Sequence, residues 1–385
     1  RFKASGVNPF IETGAERFST FAMDVDTASY TLTRNYMQRG YLPPAEAVRT
    51  EEFVNFFNYN YAAPEQDTFR IYTEYGPTPF GRGLNLLKIG VKGRRLGREE
   101  QRAAVLTLVI DTSGSMETPD RIGLVRKSLR LLLDRLDPVD RVAIIQFDSQ
   151  ARLVLEHTPA AEKERILGVL DSLRLSGSTH LEQAIRLGYE TAARGFDPRG
   201  INRVLILSDG AANLGTDAAG DILTAVEGYR RQGIFCSVFG FGIGTYNDEM
   251  LEALANKGDG TYAFVDSESE AQRVFVDELA ATLNTIASDV KIQVEFNPQL
   301  VRRYRQLGYE NRALTKEQFR DDTVDAGEVG SGQAVTALYE VEPQEIMILR
   351  ERQVQPAIYP PPDWVATVRV RYRRLDTGKI EEIAR

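Results

Sequence analysis

One cysteine, Cys236, and two histidines, His157 and His180, are all the soft or imidazole chemistry in a chain of 385 residues. A lone thiol excludes intrachain disulfides and thiolate zinc sites, and two imidazoles are too few for most histidine-based metal centres. Any bound metal must therefore be held by oxygen. Long apolar runs are also missing, none approaching the ~18 residues that a membrane-spanning helix requires. No initiator Met precedes Arg1 and no charged-then-apolar leader follows it, the pattern expected of a processed or trimmed amino terminus. Positive charge is in deficit, 47 Lys and Arg against 55 Asp and Glu, for a net charge of −8. That balance argues against nucleic acid, whose binding depends on neutralising phosphates, and suits a cation binder.

What is present is ordinary for a globular protein, with 42% hydrophobic and 26% charged residues. At roughly 100–200 residues per domain the length suits two or three domains. Residues 1–102 read as a polar lead-in, helices from Ser29 to Arg39 and from Glu46 to Phe57, then alternating strands at Phe69 to Tyr75 and Leu87 to Val91. Residues 103–288 alternate strands and helices. Val105 to Ile110 is a continuous apolar strand, and Ile122, Val125, Leu129, Leu132 and Leu136 recur at helical spacing. The short link after Phe147 makes Arg152 to Leu155 an antiparallel edge strand. Helices follow from Ala161, Leu181, Asp221 and Asp248, and a long one from Glu268 to Ala287, with strands at Val204, Phe235 and Tyr262. Residues 289–385 return to period-two alternation at Val290 to Phe296, Ala334 to Val341 and Val365 to Tyr372. The pattern predicts an α/β domain with a doubly wound, mostly parallel sheet, inserted in a β-sandwich that the amino- and carboxy-terminal flanks build together. Asp321 to Glu328 reads as a solvated acidic loop.

The apolar strand stops at Asp111-Thr112-Ser113-Gly114-Ser115, placing a carboxylate and two hydroxyls on one tight turn where Gly114 lets the backbone curl. In open α/β sheets ligands bind beyond the carboxyl ends of the strands, which is where this cluster lies. A hard divalent cation such as Mg²⁺ requires about six oxygens in octahedral geometry, so other loops at the same edge must contribute. Thr179, in the turn before the Leu181 helix, offers a hydroxyl. Asp209, after the strand ending at Leu207, offers a carboxylate.

In this order and on these elements, Asp111-Thr112-Ser113-Gly114-Ser115, Thr179 and Ser208-Asp209-Gly210 resemble the metal-ion-dependent adhesion site of von Willebrand factor type A domains. The resemblance implies that Ser113, Ser115 and Thr179 contact the metal directly, that Asp111 and Asp209 act directly or through water, and that an acidic residue of a partner fills the open position. It extends to Asp24 to Tyr30, Gly308 to Arg312 and Val335 to Tyr339, which look like the flanks of bacterial YfbK-type proteins carrying this domain. Members of that group are often exported, commonly as lipoproteins. The resemblance therefore implies an extracytoplasmic, cell-envelope location, a lipid anchor upstream, and a chain that continues past Arg385. The channel label that some of them carry gains no support from a chain without an apolar span.

Weaker signals have plainer readings. Asp24-Val25-Asp26-Thr27 suggests an aspartyl-phosphate hydrolase, but no long apolar strand precedes it and Ala28 stands where Thr or Val would be required, so helix capping is the better reading. Gly240-x-Gly242-x-Gly244 lacks the spacing of a dinucleotide loop and reads as a turn at the same sheet edge. His180 reads as a rim residue and Cys236 as a buried small side chain. Basic clusters at Lys92 to Arg95 and Arg369 to Arg374 read as solvated strand faces and turns.

The expected function is a non-enzymatic module that captures a Glu or Asp of a protein partner at Mg²⁺, with Mn²⁺ and Ca²⁺ as alternatives, held by Asp111, Ser113, Ser115, Thr179 and Asp209. Two carboxylates only partly neutralise a dication and hydroxyls add no charge, so the ion stays attractive to an incoming carboxylate. No positioned general base or nucleophile accompanies it, as hydrolysis would require. Two alternatives stand beside this one. The first is an assembly protein that forms homo-oligomers through edge strands at Phe69 to Tyr75 and Val365 to Tyr372. The second is a phosphohydrolase centred on Asp24 and Asp26.

Overall fold

The computed structural model describes residues 6–385 apart from 24–26, 82, 211–215, 243–247, 280–282, 325 and 345–363. In chain order the strands and helices are β1 (Ile11–Glu12), β2 (Phe18–Ala22), α1 (Ala28–Gln38), α2 (Thr50–Phe56), β3 (Phe69–Pro77), β4 (Asn85–Gly93), β5 (Ala104–Asp111), α3 (Leu124–Leu133), β6 (Arg141–Phe147), β7 (Ala151–Pro159), α4 (Lys163–Ser172), α5 (Leu181–Arg194), β8 (Ile201–Ser208), α6 (Thr216–Arg231), β9 (Ile234–Phe241), α7 (Asp248–Lys257), β10 (Tyr262–Val265), α8 (Glu268–Gln272), β11 (Thr285–Phe296), β12 (Val301–Leu307), β13 (Ala313–Leu314), β14 (Val329–Gly330), β15 (Ala334–Pro343), β16 (Ala366–Arg374) and β17 (Ile380–Ala384). They form two compact units.

The α/β unit, residues 26–48 and 97–284, is built on one sheet of order β10-β9-β8-β5-β6-β7. All neighbours run parallel except β6 and β7, which pair antiparallel. Every residue of β5 and β8 is buried, as expected of strands covered on both faces, whose apolar runs are Val105–Leu106 and Leu108–Ile110 in β5 and Val204–Leu207 in β8. Alternate side chains of β5 serve two cores. Leu106, Leu108 and Ile110 join Val125, Leu129 and Leu132 of α3 and Ile166 and Leu170 of α4, while Val109 on the opposite face joins Ile185 of α5, Val226 of α6 and Leu254 of α7. Burying each such side chain contributes on the order of 1.5–3 kcal/mol. Because the chain leaves β5 for β6 on one side and later returns for β8 on the other, the loops after β5 and β8 flank a topological switch point.

The second unit, residues 4–25, 49–96 and 285–385, contains two antiparallel sheets of order β1-β12-β15-β4-β3 and β13-β2-β11-β16-β17, with β14 added against β11. Both sheets mix strands from before and after the α/β unit: β15 pairs β4, and β11 pairs β2. One core holds Phe21, Ile89, Val91, Val294, Phe296, Tyr304, Tyr339 and Val370 between them. The flanks thus complete one another, as the period-two alternation predicted.

Several elements depart from expectation. The helix expected from Glu46 to Phe57 is interrupted at Val48 and Arg49, which are extended, and the division between the units falls there. Residues 26–48 go with the α/β unit because Ala28 and Leu32 of α1 are buried in its core. The long helix expected to reach Ala287 is α-helical over Glu268–Gln272 and continues as a wide π-type turn over Arg273–Glu278. Thr285 to Ala287 belong instead to β11, where pairing with Gly330 and Val329 overrides helical periodicity. The strand at Val365 to Tyr372 is interior rather than an edge, since β17 covers it. Thr27 stands at the amino end of α1 without capping it, its hydroxyl accepting a bond from Arg273 at 3.0 Å. Asp24 and Asp26 lie outside the described residues. The basic strand of Arg369 to Arg374 is matched by carboxylates: Arg369 bonds Glu295, Arg371 bonds Asp322, Arg373 bonds Asp289 and Arg374 bonds Asp376.

Two predictions follow the packing. Leu108→Ala removes a side chain only 1% exposed and should destabilise the protein by about 2–5 kcal/mol, read from urea unfolding of the helical circular dichroism. An unshifted midpoint would contradict the core assignment. His157, on β7, has its Nε2 3.2 Å from the Thr107 hydroxyl, and burial, reinforced by Arg141 and Arg194, lowers its pKa to about 4. The unfolded chain, with an ordinary imidazole near 6.5, binds the proton more readily, so stability is lost as pH falls from about 6.5 toward 4. His157→Gln should flatten that loss. The check is whether the stability difference between variant and wild type changes from pH 7 to pH 5.

Candidate metal-ion site

At the carboxyl end of β5 the apolar strand gives way to polar side chains that satisfy one another. Asp111, fully buried, accepts the main-chain N–H of Ser113 on Oδ1 at 2.9 Å and the Ser208 hydroxyl on Oδ2 at 2.6 Å. Ser113 is extended and Gly114–Met116 form a single 3₁₀ turn, which brings the Ser113 and Ser115 hydroxyl oxygens within 3.0 Å. Thr112 ties this loop to the end of β6, its N–H and its hydroxyl both donating to the Phe147 carbonyl at 2.8 and 3.0 Å.

The loop before α5 is sewn to the same place. Gly114 N–H donates to the Gly177 carbonyl at 3.1 Å, and Ser176 N–H to the Thr112 carbonyl at 2.9 Å. Gly177 has φ +74°, and a Cβ there would lie 2.1 Å from the Ser149 hydroxyl oxygen, so only glycine fits. Buried Asp148 braces this loop as well, accepting the Ser176 hydroxyl at 3.3 Å while its carbonyl receives His180 N–H at 2.9 Å. Thr179 is thereby carried to the site half-buried. Among the described residues no hydrogen bond joins its hydroxyl to the other four predicted ligands, so its approach rests on the loop backbone. His180 is exposed, at the rim.

Asp209 follows directly after β8. The Ser208 hydroxyl that donates to Asp111 also accepts Gly210 N–H at 3.2 Å, and Gly210, at φ +72°, turns the chain away. Asp209 is 2% exposed. Its Oδ2 accepts Nη1 of Arg121 at 2.8 Å, and the same nitrogen donates to the Ser115 carbonyl. Burial is the main cause that raises the Asp111 pKa, the bonds from Ser113 and Ser208 pull it down, and the charge of Asp209 pushes it up. Elsewhere in this unit burial pushes the Cys236 thiol up to about 12, which makes it a packing residue with no nucleophilic character at neutral pH.

The donor set is two buried carboxylates and hydroxyl oxygens, all hard, and Arg121 already stands at Asp209 as a cation drawn to that charge. The residues therefore fit a hard divalent ion better than a soft one. Among the described residues no three His, Cys, Asp or Glu side chains converge, so hydroxyls must complete any shell here. Of the five predicted residues, Asp111 ends β5, Ser113 and Ser115 follow it, Thr179 lies in the loop before α5 and Asp209 follows β8. Sequence reading passed over the anchoring role of Ser208, whose position one residue before Asp209 was a usable signal. It also passed over Asp148 and Arg121, for which no local signal exists.

A profile of the von Willebrand factor type A domain matches residues 106–278, inside the α/β unit. The chain carries a von Willebrand factor type A domain. A profile described as uncharacterized protein YfbK, C-terminal, matches residues 281–385 beyond that domain, and one described as von Willebrand factor matches residues 1–88 before it. Uncharacterized protein YfbK of Escherichia coli is 38% identical over 349 residues, 89% of this chain and 61% of that protein. Uncharacterized protein sll0103 of Synechocystis is 27% identical over 234 residues, 60% of this chain and 54% of that protein. The chain thus spans little more than half the length of these relatives. Among solved structures, a von Willebrand factor type A protein from Catenulispora acidiphila is 15% identical with a TM-score of 0.49, covering 85% of this chain and 74% of its own.

Ser208→Ala should show how far the domain depends on the Asp111 anchor. Losing a 2.6 Å bond to a buried carboxylate is expected to lower stability by about 1–3 kcal/mol in urea unfolding without added metal. A change below a few tenths would mean that Asp111 is satisfied without it.

Proposed function

We propose that the von Willebrand factor type A domain is a non-catalytic binding device, in which Asp111, Ser113, Ser115, Thr179 and Asp209 hold Mg²⁺, or Mn²⁺ or Ca²⁺, and a protein partner offers it a Glu or Asp. The observation that supports this reading is the buried Asp111 carboxylate, braced by Ser208 and Ser113 at the end of the central strand, beside Asp209 and the paired Ser113 and Ser115 hydroxyls. When bound, the ion supplies a Lewis-acidic point for an incoming carboxylate. The chain's own residues supply the rest. Asp111 and Asp209 provide the charge that holds a cation, Ser113 and Ser115 provide neutral oxygens that leave it under-neutralised, and the loop bonds at Thr112, Gly114 and Ser176 keep those oxygens in place before a partner arrives.

Protein–protein interaction is the general role of this domain type. We place the module in the cell envelope, as the resemblance read from the sequence implies. Among the described residues no helix is long and apolar enough to cross a membrane.

Calorimetric titration of Mg²⁺ into the wild type and into Asp209→Ala tests the metal assignment. Binding is expected in the wild type and should weaken about 100-fold or more in the variant, in which a dication loses one of its two carboxylates. Equal affinity in both would remove Asp209 from the site, and absence of binding to the wild type would remove the metal.

A further inference from the structure

The ligand pattern does not explain Arg121. This residue sits in the wide turn Pro119–Gly123 that precedes α3, and its side chain reaches back over the loop after β5. Nη1 bridges two of the three loops, donating to Asp209 Oδ2 at 2.8 Å and to the Ser115 carbonyl. The pair is sheltered, with side-chain exposures of 16% for Arg121 and 2% for Asp209, so solvent screens it weakly. A third element makes room for it. Gly242, just beyond β9, has φ +71°, and a Cβ there would lie 2.4 Å from Arg121 Nε. The guanidinium therefore fills space that a side chain at position 242 would take.

Resting on the metal-site reading, we propose that Arg121 is a built-in counter-cation to Asp209, which keeps the loops assembled when no metal is bound and weakens divalent-ion affinity when one is. The physical basis is charge. Without metal, two carboxylates share a small buried volume, and a fixed positive charge on one of them offsets their repulsion. With metal, the same positive charge stands beside a dication that needs the same carboxylate, so the two cations compete for Asp209. Arg121 does not itself supply an oxygen and is thus a positioning residue that tunes the site.

The consequence is a pair of effects of opposite sign, which a purely structural arginine would not produce. Removing the charge should make the metal-free protein less stable while making metal binding tighter. Arg121→Gln keeps a hydrogen-bond donor and removes the charge, whereas Arg121→Lys keeps the charge on a different frame. The measurements are Mg²⁺ affinity by calorimetry and thermal midpoints in EDTA and in saturating Mg²⁺, for the wild type and both variants. Arg121→Gln is expected to bind Mg²⁺ about tenfold tighter than the wild type, to melt lower in EDTA and to regain the difference in Mg²⁺, with Arg121→Lys close to the wild type on each count. If the wild type binds Mg²⁺ and Arg121→Gln binds it equally or more weakly, the counter-cation role is wrong and the metal site stands. If Arg121→Gln binds and the wild type does not, Arg121 excludes the ion outright: the reading of the wild-type domain as a metal-dependent binder fails, while the competition of Arg121 for Asp209 stands. If neither binds, the metal-site reading fails and this inference falls with it.

Discussion

A buried carboxyl group at the end of a buried strand is the constraint on which the α/β unit's organisation turns. Asp111 has no exposed surface, and an isolated carboxylate in that position would be costly enough to take up a proton instead. Two bonds at the same head group offset part of that cost: the Ser113 N–H from its own loop and the Ser208 hydroxyl from the neighbouring strand. The second of these can form only if β8 lies beside β5 in parallel register, with Ile110 opposite Leu207. The polar site and the apolar sheet therefore specify each other.

From that point outward, hydrogen bonds fix the loops to one another and to the strand ends. Thr112 holds the end of β6, Gly114 and Ser176 hold the loop before α5, and Asp148 holds that loop again from the β6 side. Glycines stand where a side chain has no room or the backbone is left-handed, as at Gly177 against Ser149 and at Gly242 against Arg121. Such an edge is preorganised. Its hydroxyls and carboxylates are gathered before any ligand arrives, which is what a binding site requires to avoid spending affinity on ordering its own loops.

Legibility in the sequence followed the range of the interactions. The apolar strands of the α/β unit, the heptad-like apolar stripe of α3 and the alternation of β3, β4 and β15 were visible because each pattern is written in consecutive residues. The break at Val48 and Arg49, the short α8 and the early start of β11 were not, because pairing with Val329 and Gly330 or packing against the α/β core decides those segments. β17 carries too little apolar alternation to announce itself, yet it covers β16 and so withdraws a strand that was expected to be an open edge. The five oxygen-bearing residues of the proposed site could be named from residue type and from their places after a strand or before a helix. Arg121 could not, since nothing near it in the chain says that its side chain turns toward Asp209.

By itself, then, the sequence determined the chemistry and the element order of this protein: oxygen as the only practical metal donor, a parallel sheet between helices, and sandwich strands before and after it in the chain. Those follow from composition and local periodicity, which act over a few residues. The tertiary structure alone decided which hydroxyl supports Asp111, which cation stands on Asp209 and which glycine makes room for it. Each of these joins residues some 97, 88 or 121 positions apart, and at such separations only the folded register of β5, β8 and β9 determines which side chains meet.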